Sequence, residues 1–172
     1  DHLIEKWKQI LSKEQRPIIG INWQGNEDTE IAGYKGRSIP LNDFSILLKN
    51  NNLSLLSLQK GFGSEQMDKC SFKTKFVQSQ NKINQIWDFN ENAAIIKNCD
   101  VVITCDTAVA HLAGGLGHKV WLLLKAIPYW TWGLKKDSTF WYPSIKIFRQ
   151  KEKNNWYEVM ERVSIELKKE FI

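Results

Sequence analysis

Long apolar runs are missing from this chain of 172 residues, and so are the residue types that staple small domains together. No stretch approaches the roughly 20 consecutive apolar residues that cross a bilayer, which excludes a membrane-spanning helix. Cysteine is scarce. Cys70, Cys99 and Cys105 are odd in number and form no C-x-x-C pair, so they read as reduced, partly buried thiols of a cytoplasmic protein. With only three histidines and no paired-ligand spacing, no metal site is expected. The amino end, Asp1-His2-Leu3-Ile4-Glu5-Lys6-Trp7-Lys8, lacks an initiator Met and a signal-type apolar core; a segment of a longer protein is expected. Basic charge is modest as well. The net +5 comes from lysines and arginines scattered among acids rather than gathered in a stripe, which favours an anionic small molecule over nucleic acid as partner.

What is present suits one globular domain, with 42% hydrophobic residues and enough length to bury a core. Leu3, Ile4, Trp7, Ile10 and Leu11 fall at helical spacing, so 1–16 is read as a helix or linker leading into a domain over 17–172. Short apolar runs predict strands at 17–24, 53–59, 101–105, 120–124 and 145–148, with a brief one around Phe76 and Val77. Helical periodicity returns at 41–50, stopped by Asn50-Asn51-Asn52; at 64–67; at 91–98, capped by Asp88 or Asn90; and at 156–171. A polar loop with Gly25, Gly33 and Gly36 follows the first strand, and a second glycine-bearing loop, Lys60-Gly61-Phe62-Gly63, follows another. This alternation without hairpin signals predicts an α/β, Rossmann-like three-layer sandwich with a mostly parallel sheet. Ligands of such sheets sit at the carboxyl ends of the strands. Of eight tryptophans, Trp121, Trp130, Trp132 and Trp141 fall close together in sequence. They are read as a hydrophobic cluster under a long loop, or as a platform for a sugar or base.

The most informative stretch is Val101-Val102-Ile103-Thr104-Cys105-Asp106-Thr107-Ala108-Val109-Ala110-His111. A buried strand there feeds directly into a helix, whose first amides are left unpaired above the sheet, where the helix dipole favours an anion such as a diphosphate. Asp106 is either part of that site or only a helix cap, and His111 either faces the crevice or is a satisfied core histidine. Gly114, Gly115 and Gly117 are read as permitting close helix-to-sheet packing.

The ordered series Ile19-Gly20-Ile21-Asn22-Trp23-Gln24-Gly25-Asn26, Arg37-Ser38-Ile39-Pro40-Leu41, Ser57-Leu58-Gln59-Lys60-Gly61, Asp88-Phe89, Asp106 to Gly114, Val120 to Leu124 and Trp141-Tyr142-Pro143 resembles a known family. That family is the glycosyltransferase-like domain that follows tetratricopeptide repeats in many bacterial proteins. It is similar in turn to the carboxyl-terminal half of the ADP-heptose:lipopolysaccharide heptosyltransferases, glycosyltransferase family nine. The resemblance implies half of a GT-B fold that holds a nucleoside-diphosphate sugar as substrate, with no cofactor and no metal. It implies donor-binding roles for Asp106, Thr107, Ala108 and His111, matching an Asp-Thr-small-x-x-His signature, and for Arg37 near the phosphates. Lys60, Gly61 and Glu65 are added from their places after the second strand, with Gln24 and Asn26 as weaker candidates. No catalytic base is expected in this segment. The implied partners are a saccharide, lipid-linked saccharide or protein acceptor, and an upstream tetratricopeptide-repeat region or amino-terminal GT-B half.

The chain departs from the family at Tyr129 and Thr131, where relatives carry an acid and an arginine, and at Asn90-Glu91-Asn92 after Asp88-Phe89. Two alternatives follow from the resemblance: a degenerate binding or interaction module of the same fold, and an enzyme similar to the protein O-linked N-acetylglucosamine transferases.

Overall fold

The computed structural model describes residues 1–31, 35–49 and 52–171. Gly33, Asn50 and Asn51, singled out above in a loop and at a helix stop, lie outside them.

Five strands, β1 (Ile18–Asn22), β2 (Ser54–Ser57), β3 (Val101–Cys105), β4 (Val120–Leu124) and β5 (Ile145–Arg149), form one sheet in the order β2-β1-β3-β4-β5. Every pairing is parallel. Period-2 alternation sends successive side chains to opposite faces, and here both faces are apolar, as a sheet covered on both sides requires. Ile19, Ile21, Val101, Ile103, Trp121 and Leu123 belong to one core, while Ile18, Val102, Val120, Leu122 and Leu124 belong to the other. The first core is closed by a 3-10 helix, Leu41–Leu48, and by α7 (Trp156–Phe171), whose Val159, Val163 and Leu167 are fully buried. The second is closed by α1 (His2–Ile10), α4 (Gln80–Asn84), α5 (Phe89–Lys97) and α6 (Ala108–Gly115). Two short helices, α2 (Glu27–Ile31) and α3 (Gln66–Lys69), lie in the loops after β1 and β2. The three-layer α/β architecture expected from the alternation is the one observed.

Helix α1 shares this second core. Trp7 and Leu11 are buried in it, Trp7 Nε1 donates to Glu91 Oε1 at 3.1 Å, and Lys6 pairs with the same carboxylate. Of the two caps considered for α5, Asp88 is the one used, its carboxylate accepting from Glu91 N at 2.9 Å. Gly114 packs as read: a Cβ there would lie 2.8 Å from Tyr142 Cγ and 2.9 Å from Ile145 Cδ1. Gly115 and Gly117 meet nothing, and Gly117 serves the turn after α6 with φ +64°, a conformation glycine adopts without steric cost.

Three expectations need correction. The residues around Phe76 and Val77 make no strand; Phe76 forms a single bridge to Leu55, because the 3-10 turn Lys73–Lys75 and helix α4 from Gln80 leave too few extended residues between them. The 41–50 helix is a 3-10 helix, Leu41–Leu48, whose tighter winding still buries Leu41, Phe44 and Leu47. The four neighbouring tryptophans do not cluster. Trp121 packs on one face with Phe148 and Phe171, Trp132 is buried on the other face, and Trp130 and Trp141 are exposed, because a β-strand and its following loop deliver side chains to both faces.

Candidate functional site

Polar residues that close apolar strands define the site. Asn22 ends β1, Gln59 follows β2, and Thr104 and Thr107 bracket the end of β3; Asn22, Gln59 and Thr104 are buried. Asn22 Nδ2 donates to Gln59 Oε1 at 2.8 Å, and Asn22 Oδ1 accepts from Thr107 Oγ1 at 2.7 Å, with Thr104 Oγ1 at 3.2 Å. Gln59 also accepts from Gln24 N at 3.0 Å and donates to Phe62 O at 2.9 Å. One network of satisfied groups thus ties the carboxyl ends of the three strands nearest the crossover point, where low local dielectric strengthens each bond.

A second network sets Arg37. The Glu30 carboxylate accepts from Arg37 Nε at 3.1 Å, Ser38 Oγ at 2.7 Å and Gly36 N at 3.2 Å, while Arg37 Nη1 donates to Asp106 O at 3.2 Å. Ser38 Oγ in turn accepts from Gly25 N and Gln24 Nε2, both at 3.0 Å. The guanidinium lies so close over Gly25 that a Cβ there would sit 2.5 Å from Arg37 Nε. That close approach explains the glycine, and the arginine is held rather than swinging in solvent.

Above these networks opens a cleft of about 780 Å³. Its floor is the amino end of α6, where Thr107 is the N-cap with no side-chain cap bond. The hydroxyl is spent on Asn22, and the amides of Ala108 and Val109, in the first turn, have no intrahelical acceptor. Both residues line the cleft, as do Arg37 and Lys60. The rim carries exposed aromatics, with Trp87 68% and Phe89 65% accessible beside Phe62. Glu27 and Asp28 bring carboxylates to another wall. A smaller hollow of about 280 Å³ adjoins it, sharing Thr29 and Arg37 and lined also by Asp106, Lys125 and Tyr129.

Of the expected site residues, Thr107, Ala108, Arg37 and Lys60 meet at the cleft, with Gln24 and Asn26. Asp106 lines the smaller hollow, and it is Thr107 rather than Asp106 that caps α6. Gly61, Glu65 and His111 line neither. Gly61 takes φ +61° in the loop after β2, and Glu65 is an exposed residue preceding α3. His111 is neither in the crevice nor in the core. It is exposed, its Nδ1 is 3.0 Å from Tyr142 Oη, and its ring is 5.1 Å from that of Trp132. Residues 108 and 111 lie on neighbouring parts of one helix face, so it is the contacts with Tyr142 and Trp132, from the loop between β4 and β5, that hold the His111 ring away from the cleft.

Sequence reasoning gave no role to Asn22, Gln59, Glu30, Ser38 or Trp87. A polar residue ending an apolar strand was the available signal for Asn22 and Gln59. Their pairing across 37 residues was not visible.

Burial lowers the Lys60 pKa from 10.5 to about 8, because a desolvated ammonium is disfavoured; its Nζ donates to Ile83 O. The pH dependence follows with a definite sign. Anion affinity at the cleft is expected to fall as pH rises through about 8, since Lys60 turns neutral there while a terminal phosphate is already ionised. Titration calorimetry with a nucleoside diphosphate on either side of that pH should show the decline, and Lys60→Gln should flatten it. An identical profile in the variant would remove Lys60 from the site. Stability moves oppositely: the unfolded chain binds the extra proton between about 8 and 10.5, so folding gains as pH rises through that window.

Cys70, Cys99 and Cys105 are all free and buried. Burial pushes the Cys99 thiol up to about 12 and raises Cys105 further, so neither supplies a thiolate nucleophile. Among the described residues no group of three or more His, Cys, Asp or Glu is placed to hold a metal ion, and no helix is long and apolar enough to cross a membrane.

No protein-family model matches this chain, and no curated protein matches it in sequence. Two solved structures are similar in fold. One is a glycosyl transferase family 9 protein from Veillonella parvula DSM 2008, with TM-score 0.58 and 13% identity, covering 100% of this chain and 45% of that one. The other is E. coli ADP-heptose lps heptosyltransferase II, with TM-score 0.60 and 12% identity, covering 99% of this chain and 53% of that one. The chain therefore spans about half the length of each. At this level of identity the likeness is one of fold, and at that level the resemblance drawn from the motifs is borne out.

Proposed function

We propose that this chain is the donor-binding half of a GT-B glycosyltransferase, holding a nucleoside-diphosphate sugar for transfer to an acceptor hydroxyl. The observation that carries the reading is that Ala108 and Val109, from the first turn of α6, line one cleft together with Arg37 and Lys60. In this reading the diphosphate lies at the α6 terminus, where dipole and amides favour negative charge. Arg37 binds phosphate oxygens and stabilises the charge that grows on the leaving nucleotide, a role a metal ion fills elsewhere. The base stacks against Trp87 or Phe62, and the carboxylates of Glu27 and Asp28 accept from hydroxyls of the ribose or the sugar. The general base comes from outside this segment.

Calorimetry with ADP, UDP and GDP and their sugars, in the presence of a chelator, tests the assignment. Binding that survives the chelator and weakens about fivefold or more in Trp87→Ala is expected, since base stacking contributes roughly 1–3 kcal/mol. Absence of binding by every nucleotide would remove the reading.

A second reading, binding without transfer, is favoured by one observation: His111 is engaged with Tyr142 and Trp132 outside the cleft. Donor hydrolysis or transfer by the full-length protein, offered a peptide or a lipid-linked saccharide, separates the two and distinguishes a lipopolysaccharide-type acceptor from a protein one.

A further inference from the structure

Half of the large apolar side chains exposed among the described residues lie on the single loop between β4 and β5: Ile127, Tyr129, Trp130, Leu134, Phe140 and Trp141. The loop is fastened from beneath. Trp132 is buried, Tyr142 packs with it in the core under α6, and the ring of His111 touches both. Beside the edge strand β5, Ile147 N donates to Asp137 O at 2.6 Å and Ser138 bridges Lys146. Residues 137 and 138 are thereby laid antiparallel against β5, at the outside of the sheet. Phe140, 93% accessible, meets the Trp141 ring edge-on at 5.8 Å.

We propose that this ridge docks on an anionic lipid surface. Aromatic and aliphatic side chains held out of the fold beside lysines are the composition that settles at a bilayer interface, rings among the acyl boundary and ammonium groups on the phosphates. Lys135 and Lys136 are exposed next to Leu134, and residues 125–144 carry three lysines against one carboxylate, Asp137. The charge is thus of the sign an anionic headgroup attracts. Docking would hold the protein peripherally and requires no spanning helix.

Flotation of the full chain with vesicles tests this without any nucleotide, so its outcome is independent of donor binding. Binding is expected to vesicles of phosphatidylcholine mixed equally with phosphatidylglycerol, with little to phosphatidylcholine alone and weakening with added salt. Phe140→Ser with Trp141→Ser should abolish it. Lys135→Gln with Lys136→Gln should weaken it on the order of thirtyfold, from the contribution of each lysine near a charged surface. All four side chains are exposed, so unchanged melting of both variants checks that they fold. Failure to bind the mixed vesicles, or equal binding by the aromatic variant, overturns the proposal. Concentration-dependent self-association that this variant abolishes, without vesicle binding, would assign the ridge to a second copy of the chain instead.

Discussion

Arg37→Ala is expected to reduce nucleoside-diphosphate affinity by about ten- to a hundredfold, the loss of one or two charge-assisted hydrogen bonds to phosphate. The same substitution has a second effect, because Glu30, with a side chain only 18% exposed, loses its ion-pair partner. Stability should fall by roughly 1–3 kcal/mol on that account. The two effects separate in a double variant. Adding Glu30→Gln removes the orphaned charge and should restore much of the melting temperature, while affinity stays low. Arg37→Lys keeps the charge but not the planar fork, so it should recover affinity only in part. Calorimetry of the three variants beside thermal melts reads both quantities. Affinity unchanged in Arg37→Ala would place the phosphates elsewhere.

Asn22→Ala is expected to give the largest loss of stability of any single polar substitution at the site. It removes one side chain from a buried network and takes the 2.7 Å acceptor from the Thr107 hydroxyl, while Gln59 Oε1 keeps Gln24 N and the Thr104 hydroxyl keeps Cys105 O. An unsatisfied buried polar group costs about 1–3 kcal/mol. A loss of about 2–4 kcal/mol should lower the melting temperature by roughly 5–15 °C in a domain of this size. Binding should suffer as well, because the Thr107 hydroxyl anchors the first turn of α6 through this contact. Asn22→Asp offers the comparison: it keeps the acceptor for Thr107 but sets a carboxylate against Gln59 Oε1, so the melt should fall while the α6 contact survives. A melting temperature within a degree or two of the parent in Asn22→Ala would show the network to be dispensable.

Strand positions were legible because buried parallel strands are short, continuous and apolar, as at 101–105 and 120–124, and their alternation with helices fixed the architecture. The α6 amino terminus was legible too, since Thr107-Ala108-Val109 follows β3 without a break. Side-chain direction was not. His111 was expected to share the crevice with Thr107, but Tyr142 and Trp132, both from a loop 20 or more residues on, decide where its ring rests. For the same reason Trp121 and Trp132 parted to opposite faces: nearness along the chain says nothing about which side of a sheet a residue reaches. Lys60 was legible as a cleft cation, whereas the depression of its pKa depends on burial that only the assembled fold creates.

The all-parallel sheet has a consequence for how the chain comes off the ribosome. Central strand β1 pairs with β3 in a register that sets Asn22 beside Thr104, 82 residues later. At a synthesis rate of about 5–20 residues per second, β1 waits on the order of five to fifteen seconds with one edge open. During that interval β2 is its available neighbour, and a nascent chain halted before residue 101 should present the apolar flank of Ile19 and Ile21 to whatever chaperone stands at the exit tunnel.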